Sequence, residues 1–281
     1  MTKNDVSLKG LSPTTRKGRG LIKTITHKII TAGCLTIEAV YPRRDRRDSP
    51  KERAAKAKAT NDAQRALNLK NSTQQLELML AANFPTPGSG LVIVLSYDDK
   101  HLPKSRKEAQ RRFKYFLRKL RAARKAAGLP SPRVFFAPEV LTSATGRWHH
   151  HIVMDNTGDD LDMLRACWIY GSDIDCRKLR VDKEKNHETQ ARYMSKELRE
   201  AQEYDCRPGL HGWSCTRNCL KPEVETFAVD ADEQISPPAG AEILADEYRT
   251  TEFASWRVVK YRVSPGAFPK PPRARRRRRR W

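Results

Sequence analysis

The sequence predicts an α+β protein built on an open, central antiparallel sheet. Three observations carry that expectation. Leu91-Val92-Ile93-Val94-Leu95-Ser96-Tyr97 is apolar on both faces, as a strand buried in the middle of a sheet must be. A strongly amphipathic helix follows it. A hairpin then leads into a second apolar strand that contains three adjacent histidines, His149-His150-His151.

Residues 1–50 are basic and lack a helical period, with one β-branched stretch, Ile29-Ile30-Thr31 to Thr36-Ile37, suited to a strand. Ala, Lys and Arg dominate from Lys51 to Leu69, and Ser72 is placed to cap a second helix presenting Leu76, Met79 and Leu80. Pro85, Pro87, Gly88 and Gly90 break the chain, which sets residues 1–87 apart as a basic N-terminal region with helices.

After the core strand, Asp98-Asp99 and Pro103 make a turn into a helix with a capping box, Ser105-x-x-Glu108. Phe113, Phe116, Leu117 and Leu120 form its apolar stripe, and Gly128 and Pro130 stop it. Its outward positions are expected to carry Arg111, Arg112, Lys114, Arg118, Lys119, Arg121 and Arg124. Few acidic residues lie at i±4 to neutralise them, so Arg111, Arg112, Lys114 and Arg118 are candidate phosphate contacts.

Val134 to Val140 reads as the next strand, irregular at Pro138, with a turn through Ser143 to Gly146 returning the chain into the histidine strand. Asp159 is placed to cap a helix with Leu161, Leu164 and Trp168 inward, and a strand is expected near Arg177 to Val181. A last helix, from about His187 to Gln202 and capped by Asn186, carries Tyr193, Lys196 and Glu197. This order is the ferredoxin-like split βαβ arrangement, with helices on one face of the sheet, over residues 88–222. Residues 223–281 read as a C-terminal extension. It has an acidic loop around Pro237-Pro238, a strand over Trp256–Val263, and a disordered arginine run in which Arg275, Arg276 and Arg277 are candidate DNA contacts.

The chain of 281 residues carries a net charge of +22, from 55 Lys+Arg against 33 Asp+Glu. So large a cationic excess points to a polyphosphate partner. No run of about 18 apolar residues exists and the first thirty residues lack the apolar block of a signal peptide, so neither a membrane span nor export is expected and the predicted location is cytoplasmic. The six cysteines are scattered and form no CxxC pair, which favours reduced thiols. The spacing of Cys206, His211, Cys215 and Cys219 matches no common zinc finger or ribbon.

Alternation along a strand puts His149, His151 and Val153 on one face and Trp148, His150, Ile152 and Met154 on the other. Two imidazoles on one face suit a single divalent ion, and Glu139 on the neighbouring strand of the hairpin is the candidate third ligand. Magnesium prefers oxygen ligands, so manganese fits the imidazoles better. Tyr193 has Lys196 one turn on, where a cation can lower the phenol's pKa or hold a phosphate.

In sequence order, three motifs resemble those of the HUH endonuclease superfamily, and within it the rolling-circle replication initiators of bacterial phages and plasmids. Leu95-Ser96-Tyr97-Asp98-Asp99 with His101-Leu102-Pro103 is similar to the first. Gly146-Arg147-Trp148-His149-His150-His151 is similar to the histidine-hydrophobic-histidine motif, with His150 in the middle position. Ala191-Arg192-Tyr193-Met194-Ser195-Lys196 is similar to the third, and the likeness extends over roughly Asn71 to Pro222.

The resemblance implies the HUH endonuclease fold and a reaction on single-stranded origin DNA in a bacterial host. Tyr193 is the implied nucleophile and Lys196 its helper. His149, His151 and Glu139 are the implied holders of Mg2+ or Mn2+, and a host helicase and polymerase are the implied partners. Glu197 stands where two-tyrosine initiators repeat the tyrosine, so a single catalytic tyrosine is expected. Two other readings stay open: a transposase or mobilisation relaxase of the same superfamily, and a non-catalytic basic nucleic-acid-binding protein.

Overall fold

The computed structural model describes residues 22–44, 62–137, 148–181, 186–195, 212–229, 234–250 and 255–263. Among these residues the chain is α+β, with four helices and two five-stranded antiparallel sheets. The elements are β1 (Ile22–Ala32), β2 (Leu35–Arg44), α1 (Asp62–Asn83), β3 (Gly90–Ser96), α2 (Arg106–Ala126), β4 (Val134–Ala137), β5 (His149–Asp155) and α3 (Asp160–Cys167). They continue through β6 (Ile174–Lys178), α4 (188–195), β7 (Ser214–Cys215), β8 (Glu223–Val229), β9 (Glu242–Thr250) and β10 (Ser255–Arg262).

The sheet that carries the histidines has the order β6-β3-β5-β4-β7. Both β3 and β4 run antiparallel to β5, which lies between them. Alternation along β5 holds: Ile152 and Met154 join Phe113, Phe116, Leu120 and Trp168 in one core, while Val153 joins Leu76, Leu80, Phe135 and Met194 in another. Helices therefore cover both faces, α2 and α3 on the first and α1 and α4 on the second. That corrects the expectation of helices on one face, and the physical reason is already in β3, whose two faces are both apolar and both need cover.

Local signals decide α2. Ser105 accepts from the Glu108 N–H, the Glu108 carboxylate accepts from the Lys104 N–H, and Gly128 ends the helix at φ +70°. Arg124 departs from the outward set: it is fully buried, 2.6 Å from Asp155 Oδ2 and 2.8 Å from Asp160 Oδ1. A guanidinium in the last turn of the helix is drawn inward because two carboxylates from β5 and α3 wait there. Asp160, not Asp159, also organises the start of α3, accepting from the Thr157 N–H at 2.6 Å; Asp159 makes no cap bond.

Further corrections concern the ends of the chain. A single helix, α1, runs through Ser72, which is no cap; its carbonyl instead accepts from Trp213 Nε1 at 3.1 Å. One side of α1 packs on Val153 and Phe135, while Leu78 and Ala81 pack on Ala32, Leu35 and Ile37. The β-branched stretch near the N-terminus is a hairpin, β1–β2, turned by Gly33 at φ +57°. A Cβ on Gly33 would also lie 2.6 Å from the Ala81 carbonyl oxygen, so the turn is tied to α1.

The second sheet, β8-β1-β2-β10-β9, combines residues before and after the histidine-bearing region. The two segments read as separate extensions thus share one sheet against α1. Its buried polar centre joins three strands: His27 Nε2 lies 2.9 Å from Glu38 Oε2, and the Tyr261 hydroxyl donates to the same carboxylate. Burial and that carboxylate both push the Tyr261 phenol well above its usual range. No helix among the described residues is long and apolar enough to cross a membrane.

Candidate active site

His149 and His151 stand two apart on β5, on the face covered by α1 and α4. Their Nε2 atoms converge to 2.9 Å, with the rings nearly perpendicular at 88°. Two imidazole nitrogens each ~2.1 Å from one ion at a right angle would be ~3.0 Å apart, so the pair fits a single divalent cation. Without an ion, the same separation lets one ring donate to the other. Across the sheet, His149 stands opposite Ser96 and His151 opposite Val94, which leaves the pair at the end of the apolar run.

Tyr193 reaches this pair from α4. Its ring centroid is 5.1 Å from that of His151 and the rings are edge to face at 80°. Although Ala191 and Met194 on either side of it are buried, Tyr193 is 48% exposed, so about half of the residue remains accessible beside the histidine pair. Asn186 caps α4 as expected, its Oδ1 accepting from the Glu188 N–H at 3.2 Å. Neighbouring His187 is buried, with Nε2 3.0 Å from the Phe84 carbonyl, and fixes the helix entry against α1.

His150 plays a different part. It is 2% exposed on the opposite face, stacks on Phe113 at 4.7 Å and 21°, and lies 2.7 Å from the Tyr97 hydroxyl. A polar ring among the aromatic side chains of this core is thereby supplied with a partner. The rest of the first motif is also structural. Asp98 accepts from the Ser172 N–H at 3.2 Å, Trp168 Nε1 donates to the Ser96 carbonyl at 2.8 Å, and the Arg112 guanidinium lies 5.1 Å from the Tyr170 ring centroid.

Among the proposed phosphate contacts, Arg111, Lys114 and Arg118 are exposed on α2. Arg112 is not: it binds Glu108 at 2.7 Å and donates to the His101 carbonyl. All four lie on the helix that covers the face of the sheet opposite His149, His151 and Tyr193. Glu139, Lys196, Arg275, Arg276 and Arg277 fall outside the described residues, as does Glu197. Among the described residues no third histidine, cysteine or carboxylate completes a metal cluster with the pair. Of the possible zinc cluster, Cys206 and His211 are likewise outside. Burial, then the neighbouring Cys219, push the Cys215 thiol up to about 11, which keeps it protonated at neutral pH.

One group near the site carries no sequence signal. Lys260 on β10 lies 2.9 Å from Glu188 in the first turn of α4 and 2.7 Å from Glu77 on α1. Glu188 in turn has Arg192 at 3.8 Å, next to Tyr193. Residues this far apart in the chain meet only through tertiary structure. No protein-family model, curated protein or solved structure matches this chain.

Proposed function

We propose that the protein is an HUH-type, single-tyrosine DNA strand transferase that nicks single-stranded origin DNA and initiates rolling-circle replication. The observation that carries this reading is the meeting of three residues from two separate motifs on one sheet face: His149 and His151 with their Nε2 atoms 2.9 Å apart, and Tyr193 with its ring 5.1 Å from that of His151. Supporting it, the order β6-β3-β5-β4 is that of a ferredoxin-like split βαβ core, with β7 added at the edge.

In this reading the Tyr193 oxygen attacks the scissile phosphorus. A new O–P bond links the enzyme to the 5′ phosphate, the P–O3′ bond breaks, and the 3′ oxygen leaves as a hydroxyl that a polymerase can extend. Exposure of Tyr193 admits the strand, and packing of Ala191 and Met194 holds the helix that aims it. His149 and His151 are the residues of the described chain that would hold Mg2+ or Mn2+, with Glu139 proposed as the third ligand. When bound, the ion supplies Lewis-acid neutralisation of the phosphate charge.

The test is incubation of the full chain and Mn2+ or Mg2+ with end-labelled single-stranded oligonucleotides tiling the encoding replicon. A denaturant-resistant protein–DNA adduct is expected, absent in Tyr193→Phe. The position of the nick separates a replication origin from a transposon end or a transfer origin. Tight binding without an adduct across the whole set rejects the reading in favour of a non-catalytic binding protein.

A further inference from the structure

A second feature of the molecule is built for nucleic acid, and it is not at the tyrosine. Lys107, Arg111, Lys114, Arg118, Arg121 and Lys125 are all exposed, and they follow one another along α2 at alternating spacings of four and three residues. At ~100° per residue all six fall within ~40° of one line, and at ~1.5 Å per residue that line is ~27 Å long. No carboxylate among the described residues lies within ion-pair distance of any of them, while Glu108, the only acid of α2, binds Arg112 on the flank. Such an uninterrupted row of like charges repels itself and weakens the isolated helix. The fold tolerates it because Phe113, Phe116, Leu117 and Leu120 anchor the opposite side in the core.

We propose that this stripe is a docking surface for the phosphate backbone of double-stranded DNA, separate from the site at Tyr193. Three arguments select the duplex. Among the described residues the stripe exposes charge without a row of open aromatic faces: the Tyr115 ring is half-buried, with Arg118 over it at 5.0 Å and Lys119 at 5.9 Å. Single-strand binders commonly use such platforms for unstacked bases, whereas a duplex keeps its bases stacked inside and sets its phosphates outermost. The row is also straight and rigid, and ~27 Å of duplex axis carries about sixteen phosphates around its circumference, so backbone segments of a duplex lying along the row come within its reach. Finally, the sheet lies between the stripe and Tyr193, so a strand seated at the tyrosine does not run on over the stripe. An anionic membrane is the poorer partner, because the apolar face that would enter it is already buried.

The test compares the full-length wild type with the triple variant Lys114→Gln, Arg118→Gln, Arg121→Gln, all exposed positions. Thermal unfolding confirms that both are folded. Binding to a blunt duplex of unrelated sequence, to an oligo-dT strand of equal length, and to vesicles of anionic lipid is measured across a salt series. For the duplex, the slope of log affinity against log salt is expected to become shallower by about 0.9 per contact removed, roughly 2.7 in all. Oligo-dT binding is expected to change much less. The arginine run at 275–280 contributes equally to both proteins, so the difference isolates the stripe. An unchanged duplex slope overturns the proposal, as does an equal loss on oligo-dT, or a loss confined to vesicles. Adduct formation by wild type is scored separately: a shallower duplex slope alongside a failed adduct leaves this proposal standing and removes only the nickase reading.

Discussion

Lys260 donates to Glu188 at 2.9 Å across 72 residues of sequence, and so β10 grips the first turn of the helix that bears Tyr193. The same ammonium is 2.7 Å from Glu77 Oε1, which ties α1 into the contact. Lys260, on the last strand among the described residues, thereby braces the helix of the candidate site, although it lies beyond every motif that suggested that site.

Replacement of Lys260 by Met is expected to cost roughly 3 kcal/mol, because Glu77 is buried and would lose its cation. Burial alone would lower the Lys260 pKa, but Glu77 and Glu188 more than offset it and hold it above the ordinary lysine value. A raised folded-state pKa stabilises the folded protein fully below the unfolded value of about 10.4 and loses that contribution as pH rises through the folded value. Urea unfolding of wild type and Lys260→Met should therefore show a gap that is constant from neutral pH to about pH 10 and narrows above it. A gap that widens with alkali would contradict the ion-pair account.

The pairing of Tyr97 with His150 makes a double-mutant cycle informative. Tyr97→Phe removes a hydrogen bond from a buried imidazole and should cost about 1–3 kcal/mol. His150→Leu removes a partner 2.7 Å from the Tyr97 hydroxyl, whose residue is 2% exposed, at similar cost. Combining the two should recover at least ~1 kcal/mol relative to the sum of the singles, since the hydrogen bond between them is then removed from both sides at once. Additive losses in chemical denaturation would show that the two rings are energetically independent.

Local signals made α2 and the histidine strand legible. A capping box, an apolar stripe and a glycine stop are short-range, and strand alternation fixes which histidines share a face. Arg124 escaped because its carboxylates come from 31 and 36 residues further on. The second sheet escaped for the same reason on a larger scale. β8 and β9 are mostly exposed and mix charged with apolar residues, so neither shows a two-residue period, and their partners β1 and β10 are supplied from opposite ends of the chain. The pairing of His149 with His151 was legible from spacing alone, whereas the approach of Tyr193 needed the packing of α4 beneath the sheet.

One turn of α2 separates a structural arginine from a surface one. Arg124→Met is expected to destabilise by roughly 3–5 kcal/mol, leaving Asp155 and Asp160 buried without their cation. Arg121→Gln, exposed and outside any ion pair among the described residues, should stay within about 0.5 kcal/mol of wild type. Equal melting temperatures for the two variants would refute this division of the helix.

His149 and His151 should behave as one unit toward a metal, because their Nε2 atoms meet at a single point. Each single change to Ala is expected to weaken Mn2+ binding, followed by calorimetry without DNA, by at least ~100-fold, since even groups that only orient a ligand are worth ~10–100-fold. The double change should add little to either single one, because loss of either imidazole already breaks the chelating pair. His150→Leu is the matched control: it faces the opposite core beside Phe113 and should leave Mn2+ affinity intact in the folded fraction. Unchanged Mn2+ affinity in the two single variants, or a loss at His150 equal to theirs, would mean that the pair only shares a proton and that the metal assignment on β5 is mistaken.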